Sequence, residues 1–189
     1  MSQGAKLLRG ALWLSYPLII YFGIKLFEPR TVALALGATL LLRHRQGAGR
    51  LLAGLSRVET ATLAGLLGLA ALAAIVNSEA LLRFYPVAVS VGMLSLFGLS
   101  LKFPPSMVER FARLRDPELP PDGVRYTRRV TQVWCAFFVA NGAAAAWTAV
   151  YASRDVWALY NGLIAYVLMG ALFAGEWLVR RFAVAPRVA

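Results

Sequence analysis

Apolar residues come in long runs separated by short basic segments. A helix needs about twenty apolar residues to cross about 30 Å of hydrocarbon. Six stretches approach that length, at about 11–27, 29–45, 58–76, 84–101, 130–151 and 156–179. The second is the weakest, because only 31–42 is free of charge, about 18 Å at helical rise. It spans if Arg43 and Arg45 snorkel to the interface, and Pro29 after Glu28 is a reasonable helix start. The pattern predicts an all-α, polytopic membrane bundle of about six transmembrane helices in three hairpins, forming a single domain over 1–189. The outer turns fall at 27–30, 77–83 and 152–155. The residues that follow them, Arg30-Thr31-Val32, Phe84-Tyr85-Pro86 and Leu159-Tyr160-Asn161, are too divergent for a repeat.

Between the fourth and fifth runs lies the one sizeable segment outside the membrane, 102–129. Ser106 followed by Glu109 reads as a capping box, in which each side chain serves a free backbone N–H at a helix start. Met107, Val108, Phe111 and Leu114 then form an apolar stripe, with Arg110, Arg113 and Arg115 on its flanks. This predicts a short interfacial helix lying along the cytoplasmic leaflet. Asp116-Pro117 ends it, and Pro120-Pro121-Asp122-Gly123 is expected to make a stiff turn into the fifth span.

Composition agrees with the pattern: 59% of the 189 residues are hydrophobic and 15% charged, against about 45–50% and about 25% in soluble domains. The net charge of +11 does not indicate nucleic acid, because the basic residues sit at the ends of apolar runs instead of on a soluble face. They do set orientation, since Lys and Arg accumulate on the cytoplasmic side. Of the 20, 16 fall before the first run, after the second, between the fourth and fifth, or after the sixth; Lys25, Arg30, Arg83 and Arg154 fall at the opposite ends. A multi-pass protein of the bacterial inner (plasma) membrane with both termini cytoplasmic is expected. A signal peptide ending at Ala33-Leu34-Ala35 is the minority reading: its apolar run is too long, and cleavage leaves an odd number of spans.

Candidate chemistry is sparse. Glu176 precedes Arg180 by four residues, the spacing of an interface ion pair more than of a proton carrier. His44 lies between two arginines, and with one His and one Cys (Cys135) neither a metal set nor a disulfide is expected; no cofactor fingerprint is present either. Intramembrane amides are more informative, because an unpaired amide in lipid costs several kcal/mol. If the last two spans turn about 153 and 154, Asn141 lies level with Tyr166, and that pair is expected to bond across the bundle. Asn161, nearer the outer end, reads as a second packing device. Trp134, with Phe137, Phe138, Trp147, Tyr151, Trp157, Tyr160, Tyr166, Phe173 and Trp177, is expected mostly in the aromatic belts at the membrane boundaries. Arg125, Arg128 and Arg129 give the inner loop a basic end suited to anionic lipid headgroups or an acidic protein.

These features in order resemble the intracellular septation protein A family of small bacterial inner-membrane proteins. The residues that carry the resemblance are Tyr16-Pro17-Leu18 with Tyr21-Phe22 and Lys25, the Arg-rich end of the second run, and the basic stretch after the fourth. They continue in Trp134-Cys135-Ala136-Phe137-Phe138 with Asn141-Gly142, and in Val156-Trp157. Tyr126-Thr127-Arg128-Arg129-Val130-Thr131-Gln132-Val133-Trp134-Cys135 with Tyr160-Asn161-Gly162 is similar to an uncharacterised branch often encoded beside fatty-acid-like synthase genes for aryl-polyene-type lipids. The resemblance implies envelope maintenance and contact with division, elongation or lipid-synthase proteins, and it brings no catalytic residue. The longer Pro-rich inner loop departs from the family pattern. A non-enzymatic organiser of partners or lipids in envelope or lipid biogenesis is expected. The alternatives are a carrier or export factor for a lipid-like product and an integral-membrane enzyme of lipid metabolism.

Overall fold

The computed structural model describes residues 28, 30–35, 38 and 56–184. The span expected at 11–27, most of that at 29–45, and the basic residues Lys6, Arg9, Arg43, Arg45, Arg50 and Arg187 lie outside the described residues, as does His44. The described part of the second span, 30–35, is helical.

Every regular element among the described residues is a helix. In chain order they are α1 (Ser56–Val76), α2 (Glu79–Arg83), α3 (Tyr85–Lys102), α4 (Met107–Arg113), α5 (Pro121–Tyr151), α6 (Arg154–Leu159) and α7 (Ala165–Val179). Single π-helical turns at Tyr160–Ile164 and Arg180–Val184 follow α6 and α7. Three stretches are long and apolar enough to cross a membrane, Glu79–Lys102, Pro121–Tyr151 and Arg154–Phe182, and Thr60–Val76 is a shorter apolar helix. The protein is membrane-embedded. Residues Glu28–Val150 form one compact unit, and the chain from Tyr151 onward belongs to another.

In the first unit, α1 ends on Asn77, which takes a left-handed backbone (φ 51°) that asparagine tolerates better than most residues. Its Oδ1 accepts from the Arg30 backbone N–H (3.1 Å), and Arg30 Nε donates to the Ala74 carbonyl (3.1 Å) near the end of α1. Ser78 then caps α2, its Oγ accepting from Leu81 N–H (3.4 Å), and Glu79 pairs with Arg83 (3.1 Å). The turn expected over 77–83 is therefore confined to Asn77 and Ser78, because a good cap and an i,i+4 ion pair make Glu79–Arg83 helical. Gly92 lets α3 approach α1 closely: a Cβ there would overlap Thr62 Cγ2.

The stiff turn expected at 120–123 is also corrected. Pro121 is the first residue of α5, a position where a missing N–H costs nothing. At 31 residues α5 is about 46 Å long, some 16 Å more than the hydrocarbon requires. Its first nine residues, with Arg125, Arg128 and Arg129, form a charged stalk ahead of the uncharged stretch that begins at Val130. Along α5 two of the aromatic residues expected in a belt, Trp134 and Phe138, face protein, and Phe137 is half-buried beside them. Trp134 and Phe138 are buried with Phe97 of α3, at ring-centroid distances of 6.3 and 5.1 Å, and Phe137 stacks edge-on to Trp134 at 5.7 Å. Trp147 and Tyr151, at the far end, are exposed as a belt requires.

In the second unit, Ser153 caps α6 (Val156 N–H to Oγ, 3.3 Å), so the helix starts two residues before the expected 156. It then widens by one residue at Tyr160–Ile164, where Ala165 N–H bonds to the Tyr160 carbonyl. Trp157 is fully buried, whereas Phe173 and Trp177 on α7 are exposed.

Candidate functional site

The charged ends of α3 and α5 carry α4 between them, and the way it is held is the most specific feature of the first unit. A helix start leaves four backbone N–H groups without intrahelical partners. Two of those in α4 are served from other helices. Met107 N–H donates to Ser100 Oγ of α3 (2.8 Å), and Val108 N–H donates to Thr131 Oγ1 of α5 (3.2 Å). Both hydroxyls are fully buried and spend their own protons locally, on the carbonyls of Phe97 (2.6 Å) and Thr127 (2.8 Å). Each is thereby left with lone pairs to offer outward. The expected capping-box pair is in place. Only its glutamate half closes at hydrogen-bond geometry, Glu109 Oε2 accepting from Ser106 N–H at 3.3 Å. The Ser106 hydroxyl is buried and makes no hydrogen bond.

Charge is then folded inward. Glu109, 6% exposed, receives Arg113 through Nε and Nη2 (both 2.9 Å), and Arg113 Nη1 reaches the Pro117 carbonyl (2.8 Å). Arg110, 9% exposed, donates from Nε to the Pro105 carbonyl (2.8 Å). The apolar stripe splits: Met107 is buried, whereas Phe111 and Leu114 are 49% and 65% exposed. The expected flank position of Arg110 is thus overturned, because Arg110 ties the helix to the chain that precedes it.

The sequence candidates fall in different places. Arg128 donates from Nη1 to the Leu101 carbonyl (3.0 Å), setting a cation on the C-terminal end of α3, where the helix dipole favours it. Arg125 is exposed and paired with Asp122 on its own helix. Arg129 is exposed next to them. Trp134 lies one turn further along α5, in the aromatic core. Asn141 sits deeper, its Nδ2 donating to Ser90 Oγ of α3 (3.2 Å) beside Gly142, whose missing Cβ would stand 3.1 Å from Ser90 Cβ. Tyr166, half-buried on α7, belongs to the other unit. Asn161 turns its amide back onto the Trp157 carbonyl (2.9 Å) at the π-helical turn. Glu176 pairs with Arg180 (3.3 Å), the i,i+4 bridge its spacing predicted, and Arg181 lies over the Trp177 ring at 5.1 Å. Among the described residues no group of His, Cys, Asp and Glu is arranged to hold a metal. Ser100 and Thr131, which hold α4, carry little signal in the sequence: a hydroxyl two residues inside the charged end of an apolar run, which is common.

Asn141 and Ser90 provide a direct check on the α3–α5 crossing. Intramembrane hydrogen bonds average about 0.6 kcal/mol in double-mutant cycles. A cycle of Asn141→Leu and Ser90→Ala, followed by denaturation in detergent, is expected to give a coupling of about that size. A coupling of zero would show that the two side chains act independently.

No family model, no curated protein and no solved structure matches this chain.

Proposed function

We propose that this is a non-enzymatic, multi-pass inner-membrane protein that supports cell-envelope or lipid biogenesis by organising lipids or protein partners at its basic end. The observation that carries the reading is α4: a short helix fixed to two spans by Ser100 and Thr131 instead of being left on a loose loop. Fixing a helix beforehand lowers the ordering cost of whatever docks on it. The envelope part of the reading rests on the resemblance to the septation protein A-like family and its synthase-linked branch. Its orientation, basic end and both termini toward the cytoplasm, with six spans, rests on the 16 to 4 distribution of Lys and Arg.

Two experiments test it. With Cys135 replaced by alanine, single cysteines at Ala80 and Ala152 are expected to label from outside intact cells, and one at Glu118 only after permeabilisation; the reverse pattern overturns the orientation. Quantitative cross-linking in native membranes from photoreactive groups at Arg115 and Arg129 is expected to capture lipids, lipid-synthase proteins or division and elongation proteins. Capture no greater than from the opposite end, at Arg83, removes the organising role.

A further inference from the structure

The surface of α4 departs from that of a water-facing helix at two places. Its inward side carries Glu109 and Arg110, buried and bonded, beside the buried Met107, and Phe111 and Leu114 are left outward. A soluble helix buries apolar groups and exposes charge, because burying charge is costly and wetting a Phe or Leu forfeits about 1.5–3 kcal/mol. Phe111 and Leu114 outward, on a helix that holds Glu109 and Arg110 inside, suit a medium less polar than bulk water. Depth points the same way. Bonds to Ser100 and Thr131 place the first turn of α4 at the level where the uncharged stretches of α3 and α5 end, beside Lys102 and Arg129. That is the boundary between acyl chains and headgroups.

Charge selects among headgroups. Among the described residues, Arg113 is matched by Glu109, and Arg125 by Asp122. Lys102, Arg115 and Arg129 are exposed and have no acidic partner among the described residues; Lys102 lies over the Phe103 ring (5.8 Å), itself 55% exposed. Arg115 lies in the turn that follows α4, exposed as Phe111 and Leu114 are.

We infer that α4, with Phe111 and Leu114 outward and Lys102, Arg115 and Arg129 around it, is a docking surface for the anionic phospholipids of the leaflet at that end of the spans. This rests on the organising role proposed above and assigns its partner as lipid. Phe111 and Leu114 enter the acyl boundary, and the three cations hold phosphate oxygens of the surrounding headgroups.

The test uses the full chain in bilayer nanodiscs of phosphatidylcholine containing one part in four phosphatidylglycerol. Lipids retained after detergent extraction are quantified by native mass spectrometry. Each cation near a negative surface is expected to contribute up to about fivefold to local enrichment. The wild type should therefore retain phosphatidylglycerol well above its bulk share. Lys102→Gln, Arg115→Gln and Arg129→Gln together should return retention to that share, while Arg83→Gln leaves it unchanged. Soluble glycerol phosphate at millimolar concentration should not compete, since the docking needs the acyl boundary. Separately, Phe111→Ser with Leu114→Ser should reduce retention with all cations present. Bulk-share retention by the wild type, or retention unaffected by the triple charge substitution, overturns the proposal. If that happens while cross-linkers at Arg115 and Arg129 still capture proteins, the organising role stands with a protein as its partner; failure of both removes the role itself.

Discussion

Thr131→Val is expected to loosen α4 from the spans that carry it. The substitution keeps the shape of the side chain and removes the one oxygen that accepts from Val108 N–H. A backbone donor left buried without a partner costs about 1–3 kcal/mol. The cost falls on the docked state of α4 more than on the fold, because the Thr127 carbonyl keeps its intrahelical partner when the Thr131 hydroxyl is lost. Hydrogen exchange at the amides of Met107, Val108 and Glu109 should then accelerate by about 10- to 100-fold, at about tenfold for each 1.4 kcal/mol. The amides of α5 around Phe138 should hardly change. Thr131→Ser, which restores the oxygen, should restore protection. Ser100→Ala should act in the same direction through Met107 N–H. The double variant should fall short of the sum, since a helix already released has no second bond to lose. Unchanged exchange in Thr131→Val would show that the Ser100 bond and the burial of Met107 hold α4 in place without it.

Gly92→Ala and Gly98→Ala, the same substitution six residues apart on α3, are expected to differ in sign. At Gly92 the new methyl group would overlap Thr62 Cγ2 across the α1–α3 contact, whereas at Gly98 nothing lies within 4 Å of the added atom. Overpacking of this kind costs about 1–3 kcal/mol. Alanine in an open helical position gains up to about 1 kcal/mol over glycine. Unfolding in detergent should therefore show Gly92→Ala less stable and Gly98→Ala equal to or more stable than the wild type. Thr62→Ala combined with Gly92→Ala should recover most of the loss, because it removes the opposing Cγ2. If Thr62→Ala fails to rescue, the loss arises elsewhere than at this contact.

Several elements were legible because they depend on few neighbours. The runs 58–76, 84–101, 130–151 and 156–179 match helices over most of their length. In hydrocarbon a backbone must satisfy its own hydrogen bonds, so an apolar run of sufficient length has the helix as its only open-chain solution. The α4 start was legible from Ser106 and Glu109, whose pairing is local. The Glu176–Arg180 bridge followed from spacing alone. Helix ends were less so: Pro120-Pro121-Asp122-Gly123 carries the signs of a turn and of a helix start alike, and the structure uses the second.

The sequence by itself determined that the chain is helical and membrane-embedded, where its apolar stretches run, and that its basic residues crowd one set of ends. Tertiary structure decided which faces meet. A span that is apolar all round gives no periodicity to read, so nothing in 84–101 or 130–151 singles out Ser90 for Asn141, or Phe97 for Trp134 and Phe138. Only the approach of α3 to α5 places Ser100 and Thr131 where the first N–H groups of α4 arrive. Those bonds fix which side of α4 meets the two spans and so divide its apolar stripe, with Met107 buried and Phe111 outward, while Arg110 turns back onto the Pro105 carbonyl.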